Sequence, residues 1–193
     1  MNSLDPRVNR LERVDYKNQS SPEQLSTFEV FTCLKEGKPY THTGIVHAPD
    51  LDLGFIFGKE QYSRRQTCVG IWVVATKDVW VSELTEGDTN VLDKYQKEQP
   101  GETQYDLFVL PKRGKQHVFV DCIKAGSPEG AIAIMGKEYE GAFAYNVWVV
   151  ESDKMYKTES GLAPIWDTLP EKKFRDALAY RAGDKLKNFL ESK

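Results

Sequence analysis

The three histidines and three cysteines of this 193-residue chain are its most reactive side chains, and their spacing denies them most of the chemistry they could do. A carboxylate-bridged di-iron centre needs Glu-x-x-His, because positions i and i+3 of a helix aim both ligands at one metal. The residues three before His42, His47 and His117 are Pro39, Gly44 and Gly114. His42 and His47 lie five apart on a β-prone run, and an odd separation sends them to opposite faces of a regular strand, so a shared metal is not expected. Cys33, Cys68 and Cys122 are far apart and form no Cys-x-x-Cys pair. They read as reduced thiols that behave as small core hydrophobes, and a nucleophilic role would need spatial neighbours that lower a thiol pKa. No Gly-x-Gly-x-x-Gly, Walker-type Gly-Lys-Ser/Thr or Gly-x-Ser-x-Gly elbow occurs. The expectation is no catalytic residue, no metal ligand and no cofactor.

The elements that would position any site come from an internal repeat, which has to be sought before local structure. Phe28-Glu-Val-Phe31 and Tyr105-Asp-Leu-Phe108 lie 77 residues apart, as do Gly37-Lys38 and Gly114-Lys115, and Ala48 and Ala125. Gly58-Lys-Glu60 matches Gly136-Lys-Glu138 at 78, and Trp72-Val-Val74 matches Trp148-Val-Val150 at 76. Five anchors in one order predict two copies. The resulting layout is an N-terminal arm over 1–27 without a sustained period, a first repeat over 28–82, a solvated linker over 83–103, a second, divergent repeat over 104–158, and a tail with a final helix over 159–193.

Each copy reads as ββαβ. In the first, Phe28 to Leu34 and Tyr40 to His47 form a hairpin around the Glu36 to Pro39 turn. Asp50 caps a helix carrying Leu53, Ile56, Phe57 and Glu60 on one side, and Gly70 to Ala75 is a buried strand. In the second, Tyr105 to Leu110 and Gln116 to Lys124 precede a helix opened by Ser127-Pro128, with Ile132, Met135 and Tyr139 at i, i+3 and i+7, and Asn146 to Glu151 follows. The last helix runs from about Leu169 to Glu191, with Thr168-Leu-Pro-Glu171 as a capping box and Phe174, Leu178, Ala182, Leu186 and Leu190 as its stripe. One copy of some 50 residues buries little surface alone. The predicted fold is therefore α+β: two tandem ββαβ repeats packed as a pseudo-dimer through mainly antiparallel sheets, plus a C-terminal amphipathic helix.

A net charge of −3 and a pI near 5.7 argue against a phosphate-neutralising surface for nucleic acid. No run approaches 18 apolar residues, and Met1-Asn-Ser-Leu-Asp-Pro-Arg lacks the charged and apolar regions of a secretion signal. The expected setting is soluble and cytoplasmic.

The run from Phe28-Glu-Val-Phe31 through His42-Thr-Gly44-Ile-Val-His47-Ala48 and Tyr62-Ser63-Arg64-Arg65 to Ile71-Trp72-Val73-Val74 resembles the phenylacetate-degradation B-subunit (PaaB) family. That resemblance implies a non-catalytic accessory subunit of a multicomponent monooxygenase that epoxidises the ring of phenylacetyl-CoA, in which iron and substrate are held by another subunit. The implied partners are the di-iron catalytic and structural subunits, with a homo-oligomer as a further possibility, and no nucleic acid or membrane. In the second copy Phe119, Asp121 and Lys124 replace His42, Gly44 and His47, and Tyr139-Glu-Gly-Ala142 replaces the Tyr-x-Arg-Arg run. Family members look like single copies, so this chain could cover in one polypeptide what a homodimer covers elsewhere.

The residues expected to bind partners are His42, His47, Tyr62, Arg64 and Arg65. Arginine suits bidentate interface pairs, although a helix-end Arg64-Arg65 also fits a solvated surface. The histidines fit interface hydrogen bonding or solvent-facing strand positions equally well, and Tyr62 fits a half-buried helix position. Trp72 and Trp148 read as core aromatics, and Trp80 and Trp166 as packing residues or partner anchors. A rival reading is a stand-alone small-ligand or acyl-CoA binding domain, with a groove between the two sheets as its pocket.

Overall fold

A computed structural model describes residues 25–63, 68–158 and 182–192. Its first half contains β1 (Ser26–Cys33), β2 (Thr41–Ala48), α1 (Leu51–Tyr62), β3 (Gly70–Ala75) and the short β4 (Val79–Val81). A 3-10 turn over Val91–Lys94 leads to β5 (Thr103–Leu110), β6 (Val118–Ala125), α2 (Pro128–Glu138), β7 (Asn146–Glu151) and β8 (Tyr156–Lys157). A further helix, α3, spans Ala182–Glu191. The protein is α+β, and the eight strands among the described residues pair antiparallel in the order β4-β7-β5-β6-β2-β1-β3-β8.

That order forces the sheet to curl. β3 stands seventh and β4 first, yet only the 3-10 turn Thr76–Asp78 joins them. In a flat sheet six strand spacings would separate them by roughly 29 Å, whereas four extended residue steps reach about 14 Å. β7 and β8 are joined in the same way through Ser152–Lys154. The sheet therefore curls into an open barrel, its edge strands β4 and β8 not paired with each other, and each half lends its last strand to the other. At the centre only Thr41 and Val118 are paired, with His42 N–H donating to His117 O and Phe119 N–H to Tyr40 O, both at 2.8 Å.

Alternation along the strands sorts the side chains onto two faces. The outer face carries Phe28, Val30, Val46, Ala48, Ile71 and Val73 beneath α1. Its counterpart carries Tyr105, Leu107, Ile123, Val147 and Val149 beneath α2. The inner face holds Phe31, Val74, Phe108 and Val150, ringed by Tyr40, Trp72, Phe119 and Trp148. Phe31 and Phe108, from strands three places apart, stack with centroids 4.1 Å apart, a contact that a flat sheet would not allow. The tryptophans read as core aromatics, Trp72 and Trp148, belong to this interior.

Both helices start as their caps require. Asp50 Oδ1 accepts from Leu53 N–H at 2.8 Å and Ser127 Oγ from Gly130 N–H at 3.0 Å. These caps and the helix-end tyrosines Tyr62 and Tyr139 are 77 residues apart, so the sequence match of Gly58-Lys-Glu60 to Gly136-Lys-Glu138 is one residue out of register with the fold. The inward face of α1 also differs from expectation. Gly54 and Gly58 are buried, with added Cβ atoms meeting Phe28 at 3.1 Å and Val30 at 3.2 Å, while Leu53, Ile56 and Phe57 point outward. A helix this close to its sheet has to set glycine against the large strand side chains.

The segment 83–103 is no solvated linker. Val91 and Leu92 are buried against α2, Asn90 bonds to Ala142 O and Ala144 N, and Thr85 N–H donates to Tyr145 O. Its polar composition hid a few buried apolar residues. Cys33 and Cys68 are buried as expected, but Cys122 is exposed, because it faces away from the helix on β6. Residues 1–24 of the expected arm and 159–181 of the expected tail lie outside the described residues, as does the proposed start of the last helix near Leu169.

Candidate functional site

The polar groups of the barrel interior form the one concentration of histidine and buried carboxylate in the described residues, and backbone irregularity places them there. The β1–β2 pairing shifts register between Val30 and Phe31, so that Val30 faces Gly44 and Phe31 faces His42, leaving Thr43 as the extra residue of a bulge. The bulge returns His42 to the face of Ile45 and His47. The expectation that His42 and His47 lie on opposite faces is thereby corrected: they bond to Glu29 and Thr27, two residues apart on one face of β1.

Glu29 is buried and has both carboxylate oxygens engaged, Oε2 with His42 Nε2 at 2.7 Å and Oε1 accepting from Thr76 Oγ1 at 3.0 Å. The His42 ring sits edge-on to Phe31 at 5.4 Å and to Trp148 at 4.9 Å. The His117 ring stacks on Trp148 at 4.1 Å and its Nε2 bonds Asn146 Oδ1 at 2.7 Å. The Asn146 amide nitrogen donates to Ser82 O, which fixes its oxygen toward His117 and makes Nε2–H the donor. Burial pushes the His117 pKa down, opposed by its bond to Asn146.

The matching carboxylate in the second half is Asp106, with no solvent exposure. Its oxygens accept no well-angled hydrogen bond, and Lys157 Nζ at 2.5 Å is its counter-charge. The same ammonium lies 5.0 Å from the Trp72 ring centroid, a cation–π position.

Of the expected partner-binding residues, His42 is turned inward and occupied by Glu29. His47 is exposed, with Nδ1 3.2 Å from Thr27 Oγ1. The Tyr62 hydroxyl donates to Ile45 O at 2.9 Å, across Gly44 with φ +153°. A Cβ at Gly44 would stand 2.2 Å from that hydroxyl, so glycine is required there twice over. Burial pushes the Tyr62 pKa up. Arg64 and Arg65 lie outside the described residues. The structure thus joins His42, His47 and Tyr62 around one bulge, with only His47 presented freely at the surface.

Sequence reasoning missed Glu29, Asp106, His117, Asn146 and Lys157. A signal was available for the first two, since a carboxylate recurs at the same place in Phe28-Glu-Val-Phe31 and Tyr105-Asp-Leu-Phe108. Among the described residues no group of three or more His, Cys, Asp or Glu is arranged to hold a metal. The space between the sheets, expected as a ligand groove under the rival reading, is crossed by the Phe31–Phe108 stack.

Residues 24–99 match the family model described as Phenylacetic acid degradation B. This part of the chain is PaaB-like. The match covers less than half of the chain and takes in the quoted run from Phe28 to Val74, including His42, His47, Tyr62, Arg64 and Arg65. No curated protein and no solved structure matches the chain. The PaaB-like span is not self-contained in space: β1 to β3 build the first half, while β4 and the segment after it complete the second. Among the described residues no helix is long and apolar enough to cross a membrane.

Proposed function

We propose that this chain is a non-catalytic accessory subunit of a phenylacetyl-CoA ring-epoxidising monooxygenase, organising the di-iron catalytic subunits in cytoplasmic phenylacetate degradation. The PaaB-like span 24–99 carries this reading. In the interior Glu29 is held by His42 and Thr76, and Asp106 is paired with Lys157. The chain is two PaaB-like repeats, 28–82 and 104–158, fused so that each completes the other through its exchanged strand. Docking is assigned to the first repeat, at His47 and the Arg64-Arg65 segment beside Tyr62.

Titration of the purified chain against a di-iron subunit carrying paired Glu-x-x-His motifs tests this. Arg64→Ala/Arg65→Ala is expected to weaken association at least tenfold, about 1.4 kcal/mol, with folding intact. Lys137→Ala, which removes an ion pair with Glu98 on the second helix, is expected to leave association unchanged. Equal affinity of the double variant and the parent would remove this segment as the docking site, and no association of the parent with such a subunit would remove the proposed function.

A further inference from the structure

We infer that a side-chain carboxylate of a partner protein docks at the edge of β2, between the Ile45 N–H and the Tyr62 hydroxyl, an assignment that rests on the accessory-subunit reading and gives its docking a chemistry. The second half shows the arrangement with its own carboxylate in place. Cys122 N–H donates to Asp121 Oδ1 and the Tyr139 hydroxyl donates to Asp121 Oδ2, each at 2.7 Å. Both donors recur 77 residues earlier, as Ile45 and Tyr62, while the carboxylate between them is replaced by Gly44. The first half has kept the receptor and lost the group it holds.

The strand geometry leaves that receptor open. β2 is paired with β6 only at Thr41, so from Gly44 onward its second edge meets no other strand among the described residues. In an extended strand the N–H and C=O of one residue leave on the same side. Ile45 O accepts from the Tyr62 hydroxyl at 2.9 Å, so Ile45 N–H is turned to that same edge, as Cys122 N–H is at the matching place. Gly44 has no side chain to meet it. The Tyr62 hydroxyl has instead closed onto the strand, 2.2 Å from where a Cβ at Gly44 would stand, and accepts from Gln61 Nε2 at 3.0 Å. An arriving carboxylate turns the hydroxyl from a neutral carbonyl to a charged acceptor, and charge-assisted bonds are the stronger ones.

Exposure and charge choose the occupant. Ile45 is 43% exposed and His47 is exposed on the same face, so the receptor is a shallow surface feature and not an enclosed pocket. Such a feature holds a carboxylate when the surface carrying it docks as well, which favours an acidic side chain of a protein over a free organic acid. Glu29 acts on Tyr62 through its charge, and its oxygens are taken up by His42 and Thr76. The fold already holds a second carboxylate in this relation. Asp121 adjoins Cys122, the register partner of Asp106, as the docked group would adjoin Ile45, the register partner of Glu29.

Titration of the chain against the di-iron subunit, with urea midpoints to establish folding, tests the assignment. Tyr62→Phe, which keeps the ring and removes the donor, is expected to weaken association at least about tenfold, while Tyr139→Phe leaves it unchanged. Gly44→Asp and Gly44→Asn place side chains of one shape at φ +153° and carry the same strain. The aspartate installs the second half's own carboxylate and repels the partner's, so it is expected to weaken association about fivefold more than the asparagine. Should neither Gly44 variant fold, Tyr62→Phe decides. Equal affinity of Tyr62→Phe and the parent would overturn the inference, and so would equal losses in Gly44→Asp and Gly44→Asn. In both cases the parent still associates and the proposed function stands. A parent that does not associate with the di-iron subunit removes that function, and the docked carboxylate with it.

Discussion

Glu29 and Asp106 stand at matching places in the two halves, both inside the barrel, and are met by different neighbours. Glu29 meets His42 and Thr76 from its own half. In the second half the residue matching His42 is Phe119, which offers no hydrogen-bonding group, and Asp106 is met by Lys157 on the strand that pairs with β3 of the first half. The matching place to Lys157 is Val81. A second pair differs in the same compensating way. Tyr40 stacks on Trp72 at 3.8 Å and its hydroxyl fills the space that Gly70 leaves, whereas His117 stacks on Trp148 and is met by the side chain of Asn146. The lesson is that a position with a buried charge or ring tolerates change only as a pair. One half can be read from the other in its backbone, but not in its interior chemistry.

The largest effect is expected at the ion pair that joins the halves. Lys157→Met leaves Asp106 buried and unpaired, and should cost about 3–5 kcal/mol in urea unfolding. Adding Asp106→Asn should recover part of that loss. Glu29→Gln, which keeps polar contacts to His42 and Thr76, should cost about 1–2 kcal/mol. A smaller loss for Lys157→Met than for Glu29→Gln would break the comparison.

An exchange between the halves sharpens it further. Gly70→Asn places a side chain where a Cβ would already stand 2.1 Å from the Tyr40 hydroxyl, and overpacking of this kind costs about 1–3 kcal/mol. Tyr40→His added to Gly70→Asn installs the second half's pair in the first, and should recover about 1 kcal/mol or more as coupling between neighbours. Strict additivity of the two changes in unfolding midpoints would show that the pairs do not compensate.

The smallest effect is in pH dependence. Burial holds the His117 pKa below its ordinary value, so the unfolded chain takes up a proton near pH 6.5 that the folded chain refuses. His117 therefore contributes stability above that pH and loses it as the pH falls toward its depressed folded pKa. The charged or titratable groups that act on it are His42 and Glu29, and Asn146 binds it. Between pH 7.5 and 5.5 the parent's urea midpoint should fall further than that of His117→Gln. Parallel slopes for the two proteins would assign the acid sensitivity elsewhere.

The strands and helices were legible in the sequence because their signals are local. Asp50 and Ser127-Pro128 mark helix starts by hydrogen bonds made within one turn, and β-prone runs such as Gly70 to Ala75 declare themselves by composition. The α+β class and the PaaB-like run followed from the same local strings. The site was far less legible. A one-residue bulge at Thr43 reversed the face assigned to His42 relative to His47, and a bulge has no sequence signature here beyond Gly44. His42 could be nominated, but its partner Glu29 lies on another strand, and the rings that pack on His42 are Phe31 and Trp148 of the other half.

Sequence by itself determined the elements, their order within each half and the likeness of residues 24–99 to a known family, since each of these is written in near neighbours along the chain. Tertiary structure alone decided that β4 and β8 are exchanged, that the sheet curls over a stacked Phe31 and Phe108, and that Lys157 neutralises Asp106. Those contacts join residues about 50 to 80 positions apart whose pairing is fixed by sheet curvature and the cost of leaving a buried charge unmatched, quantities that no local pattern of residues encodes.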